Sequence, residues 1–144
     1  MRKFNRYQRA TARLAAVQSV YAIKVGDQQE DTILDNILNF QEEGWEKPDM
    51  PFLRRLVESC QNNMEEICTL VEQHLTKDWT INRIDKLILS IMICAVNELL
   101  YEKDTPAQII LKEYVDLSAD FFDEKDVNFI NASLNALRAD IRCD

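Results

Sequence analysis

Along most of the chain, apolar residues recur at steps of three and four. Val127, Ile130, Leu134, Leu137 and Ile141 follow this spacing in the last segment, and Ile110, Tyr114, Leu117 and Phe121 repeat it one segment earlier. At 3.6 residues per turn the spacing gathers apolar side chains on one face of a helix, which then needs a core to cover it. Glu113, Asp116 and Asp120 fall on another side of their segment, as a solvated acidic stripe. Near the start, Tyr7, Ala10, Leu14, Val17 and Tyr21 mark the core face of a first helix. Residues 53–75 read as one long helix or as two with a break near Asn62 and Asn63, and residues 33–40 as a short one. The stretch 84–100 is apolar on nearly every side, which predicts a helix surrounded by the others.

Boundaries come from capping residues. Thr105, Pro106 and Gln108 have the form of a capping box opening a helix, and Asp126 is placed to cap the last one. Only two glycines and three prolines punctuate 144 residues, too few for the turns of a β protein, so the chain is expected to be all-α. Its length fits one domain over residues 1–144, with residues 139–144 expected as a mobile tail.

Charge changes this picture. The net charge is -8, yet residues 1–24 carry six Lys or Arg and no acid, and the other 120 residues hold 11 cations and all 25 acids. Arg2, Arg6, Arg9 and Arg13 step by four, three and four, within an arc of roughly 60° of one helix, and Lys24 returns to the same side. A cationic stripe alone is as readily a solubilising face as a binding one. The absence of acids that would pair with these cations inside the helix favours a polyanion as partner, since an acidic protein repels RNA or DNA everywhere but at such a face. Phe129 lies outside the arc of its helix's core residues. It either packs against a neighbouring element or offers a ring on which an unpaired base stacks, a contact of about 1–3 kcal/mol.

Other functions find little support. No run reaches the roughly 18 apolar residues of a membrane span, and no apolar signal core follows the basic start, so the expected location is cytoplasmic. Cys60, Cys68, Cys94 and Cys143 lack zinc-site spacing and disulfide density. There is no glycine-rich phosphate loop, no metal-ligand cluster and no cofactor motif. The single histidine, His74, sits on the apolar side near a helix end, where packing is the simpler role. Glu65 and Glu66, or Glu42 and Glu43, read as solvated surface. No enzyme is expected.

Several blocks in order resemble the bacterial NusB transcription antitermination family. They are "ARLAAVQSVY" from Ala12 to Tyr21, the middle segment from Phe52 to Asp85, "NELLY", "TPAQIILKEYVDLS", and "NFINASLNAL" in place of the family's KFVNGVLD motif. The resemblance implies a compact bundle of about seven helices that binds the boxA element of ribosomal RNA leader transcripts. Binding is completed by NusE, a small-subunit ribosomal protein, and the pair helps RNA polymerase resist termination during ribosomal RNA synthesis. Carried over by position, the family's arginines fall on Arg9 and Arg13, its aromatic on Phe129 and its asparagine on Asn131. Lys3 and Arg6 extend the phosphate-contacting set upstream, and Asp85 is a candidate contact for NusE.

Departures are specific. Ala10 and Thr11 stand where further arginines are usual, Asn128 and Ala132 replace the lysine and glycine of KFVNG, and Lys112 replaces the asparagine of the family's INEA block. The stretch between Asp85 and Glu98 is three residues longer than the family pattern. Two alternatives stay open: a protein-interaction bundle whose basic helix binds an acidic partner, and a NusB-like module acting in ribosomal RNA maturation without antitermination. A similar domain opens some ribosomal RNA methyltransferases, but with the chain ending at Asp144 the stand-alone module is expected, as monomer or homodimer.

Overall fold

The computed structural model describes residues 5–26, 47–75 and 84–144. Six helices occupy them and no strand is present among the described residues: α1 (Arg6–Gly26), α2 (Met50–Asn62), α3 (Met64–Gln73), α4 (Lys86–Tyr101), α5 (Ala107–Ala119) and α6 (Glu124–Ile141). The segment read as a short helix at 33–40 lies outside the described residues, as does Lys3.

Helix α4 is the axle. Every residue from Ile88 to Leu99 is buried, and each of the other five helices packs against it. Its all-round apolar sequence has no amphipathic side, so the stable place for it is the centre. Asp85 starts it, accepting the backbone N–H groups of Leu87 and Ile88 at 2.8 and 3.1 Å. The stretch toward Glu98 is uninterrupted helix from Lys86 onward. Two thiols, Cys60 of α2 and Cys94 of α4, meet inside as free cysteines. The long segment over 53–75 is two helices, broken at Asn63, whose side-chain amide donates to the Ser59 carbonyl oxygen at 2.9 Å.

Three expectations about ends are corrected. Asp123, not Asp126, caps α6: its Oδ1 accepts from the Asp126 N–H at 3.1 Å, so Asp126 occupies the third position of the same box. Thr105 and Gln108 do not form a capping box; the Ala107 N–H at the start of α5 donates instead to Asp144 Oδ2 at 3.0 Å. Residues 139–144 are not placed as a loose tail. Helix α6 runs to Ile141, and the Arg142 guanidinium then donates to the carbonyl oxygens of Leu99, Glu102 and Thr105 at 2.7, 2.9 and 3.0 Å.

The face that α1 buries is also corrected. Tyr7 and Tyr21 are 57% and 39% exposed, whereas Ala12, Ala15, Ala16, Val17, Ser19 and Val20 are buried. Small side chains at steps of three and four let the α1 backbone come close to α4 and α2, and a tyrosine in that seam would hold the helices apart. The stripe through Tyr7 and Leu14 faces instead a groove of about 680 Å³ against Leu117 of α5 and Phe121 just past its end, rimmed by Glu113, Asp116 and Asp120.

Candidate nucleic-acid interface

The cationic stripe of α1 exists, but it runs from solvent into the core. Arg13 stands three, four and seven residues before Ala16, Val17 and Val20, which puts it in line with the buried face. Arg6, two turns upstream, is exposed; Arg9, between them, is half-buried. One stripe therefore contains three different chemical settings.

Arg13 is not on a binding surface. It is 4% exposed, and its Nε and one terminal nitrogen donate to Glu98 Oε2 and Oε1 at 2.8 and 3.1 Å, a forked pair that joins α1 to α4. The Tyr114 hydroxyl of α5 donates to the same carboxylate. Burial works against the Arg13 charge, but the hydrogen bond and field of Glu98 outweigh it and raise its proton affinity. Burial, with the Glu98 charge next, pushes the Tyr114 phenol well above its ordinary range, which keeps it a donor. Arg13 is withdrawn from the phosphate contacts, because reaching a phosphate would leave Glu98 charged and alone in the core.

Arg9 is held differently. Its guanidinium lies over the Phe52 ring at 3.9 Å, with Arg13 and Arg55 on the same ring at 5.2 Å each. Phe52 is 1% exposed, so the stack fixes the arginine on a rigid floor. Arg55 forks onto Glu102 and Arg13 onto Glu98, but among the described residues no carboxylate meets Arg9. Arg6 lies 5.0 Å over the ring of Tyr7. Arg6 and Arg9 are thus accessible cations ordered by aromatic rings and, among the described residues, unspent on internal ion pairs.

The remaining candidates are scattered. Phe129 is half-buried and packed against the core, the role of a neighbour-packing ring foreseen as one of two. Asn131 is exposed; two residues apart on a helix, it and Phe129 point about 160° from one another. Asp85 is exposed and serves as the α4 cap. Reasoning from sequence missed Phe52, whose signal was only its position two residues ahead of "RR", and Glu98, which no local pattern ties to Arg13.

Among the described residues no group of three His, Cys, Asp or Glu side chains is arranged to hold a metal ion, and no helix is long and apolar enough to cross a membrane. His74 Nε2 meets Asp140 at 2.7 Å, a tie between α3 and α6. The bundle thus presents two arginines ordered by aromatic rings, Arg6 and Arg9, beside two satisfied by internal carboxylates, Arg13 and Arg55. The NusB family model matches residues 10–138, and the chain belongs to the NusB family. A transcription antitermination protein NusB from Novosphingobium aromaticivorans is 30% identical over 140 residues, 93% of this chain and 95% of that one. The solved T. maritima NusB superposes with a TM-score of 0.80 at 24% identity, covering 96% of this chain and 93% of its own. A chain in the complex of antitermination factors NusB and NusE with dsRNA gives 0.80 at 22%, covering 94% and 99%.

Proposed function

We propose that this protein binds the boxA element of ribosomal RNA leader transcripts jointly with NusE and acts in the cytoplasm in antitermination by RNA polymerase, with no catalytic step. The observation that supports this reading most directly is Arg9, stacked on Phe52 with its charge left for a partner. Arg6 beside it, and Lys3 upstream in the sequence, supply further phosphate contacts; Phe129 offers part of a ring to a base, and Asn131 an amide. Asp85 stays a candidate for the NusE contact at the α4 start.

Arg9→Ala is expected to weaken RNA binding in the presence of NusE and to lower the slope of log affinity against log salt by about 0.7, the loss of one single-strand phosphate contact. Fluorescence titration across salt concentrations measures both, and an unchanged slope would place the RNA elsewhere. The second reading, a protein-interaction bundle, is favoured by the groove between α1 and α5, where an apolar floor of Tyr7, Leu14, Leu117 and Phe121 meets three acids. Wild-type protein that binds NusE but no RNA, alone or jointly, would select it.

A further inference from the structure

A second shallow groove, of about 250 Å³, lies between α5 and α6, lined by Gln108 and Lys112 from one helix and Asn131, Asn135 and Arg138 from the other. In a protein of net charge -8 its lining is unusual: three uncharged amides, two cations and one acid, Asp116. Asp116 already meets Lys112 at 2.8 Å, but both side chains of that pair are mostly exposed, so exchanging the carboxylate for a phosphate costs little.

The amides are paired in a way that leaves a reading edge. Asn135 Nδ2 donates to the Asn131 carbonyl oxygen at 2.9 Å and to Asn131 Oδ1 at 3.2 Å. Among the described residues this leaves Asn135 Oδ1 as an acceptor and Asn131 Nδ2 as a donor, side by side on one helix face. An adjacent donor and acceptor match the edge of an unpaired base. Arg6 of α1 is near enough to Lys112 for the two positive charges to act on one another. Both distinctive residues are departures from the family motifs: Lys112 replaces the asparagine of INEA, and Asn135 stands at the aspartate of KFVNGVLD. One adds a cation and the other removes an acid, on a chain that lacks arginine at Ala10 and Thr11.

We infer that the α5–α6 groove is the base-reading part of the RNA interface, with Lys112 on a phosphate and Asn131, Asn135 and Gln108 on base edges, shifted here from α1. This rests on the RNA-binding reading above. The test is a titration of boxA-bearing single-stranded RNA, and of a set of its single-nucleotide variants, against wild type, Arg9→Ala, Lys112→Ala and Asn135→Asp, all with NusE present. Lys112→Ala is expected to lower the salt slope by about 0.7. Asn135→Asp is expected to weaken binding roughly tenfold and to reorder the RNA variants, because a carboxylate cannot donate the bonds that orient Asn131 and sets a negative charge beside the RNA. Arg9→Ala should weaken all the variants alike. Lys112 and Asn135 are exposed, so thermal melts of these two variants are expected to match wild type. If Lys112→Ala and Asn135→Asp keep the wild-type slope and ranking while Arg9→Ala binds weakly, the groove is not a reading site and the α1 interface stands. If wild type binds no RNA, both readings fall together.

Discussion

Glu98→Ala should be the most damaging single substitution at a polar position in this protein. It strands the Arg13 guanidinium, 4% exposed, without its forked partner, and removes the acceptor of the Tyr114 hydroxyl. Breaking one side of a buried pair costs about 3–5 kcal/mol, because the charge left behind must be buried uncompensated or drag water inward. At about 2–4 °C per kcal/mol for a domain of this size, the melting midpoint should fall by roughly 10 °C, read by circular dichroism. The double variant Arg13→Met with Glu98→Leu should recover most of the loss, since an apolar pair of similar volume needs no partner. A double variant as unstable as Glu98→Ala would show that packing, and not the stranded charge, sets the cost.

Arg142→Ala should come next. This side chain, 9% exposed, joins the last carbonyl oxygens of α4, at Leu99 and Glu102, to the Thr105 carbonyl in the connection to α5. Helix carbonyls at a C-terminus have no partner within the helix, and a cation there also meets the negative end of the dipole. Hydrogen bonds from a charged group are worth about 1.5–3 kcal/mol each when they stand alone, and these share one side chain, so a loss of about 2–4 kcal/mol is expected in urea melts. Asp144 belongs to the same clasp. The Ala107 N–H, first among its causes, holds the Asp144 carboxyl below its ordinary 3.8. A depressed carboxylate stabilises the fold above 3.8 and gives that contribution up as the pH falls through its lowered value, so the α5 cap should weaken only below pH 3.8.

The sequence made α4 legible because an apolar surface on every side admits one placement, but it left the Asn62–Asn63 break as one of two readings, which the structure settles in favour of two helices. It misplaced the α6 cap by one turn, since Asp123 and Asp126 carry the same signal and only the backbone decides between them. The buried face of α1 is not marked by its large side chains, because Ala12, Ala15, Ala16 and Ser19 make the close seam and small residues carry little periodic signal. Arg13 looked like its neighbours on the stripe because its partner is 85 residues away, and no local rule reports such a pair. The C-terminal clasp was unreadable for the same reason, being made of contacts to carbonyl groups that every residue possesses. What the stripe did show was where the accessible cations begin.

That gradient along α1 has a bearing on which substitutions the helix tolerates. A lysine in place of Arg6 keeps an exposed positive charge and gives up only a looser contact, 5.0 Å from the exposed Tyr7 ring, so its effect should be small. In place of Arg9 it keeps the charge but forfeits the flat stack on Phe52, so the cation becomes a wandering one. In place of Arg13 it cannot bridge both oxygens of Glu98 at once. Variation among the three positions should therefore be graded, freest at the helix start and strictest two turns in, although all three carry the same letter.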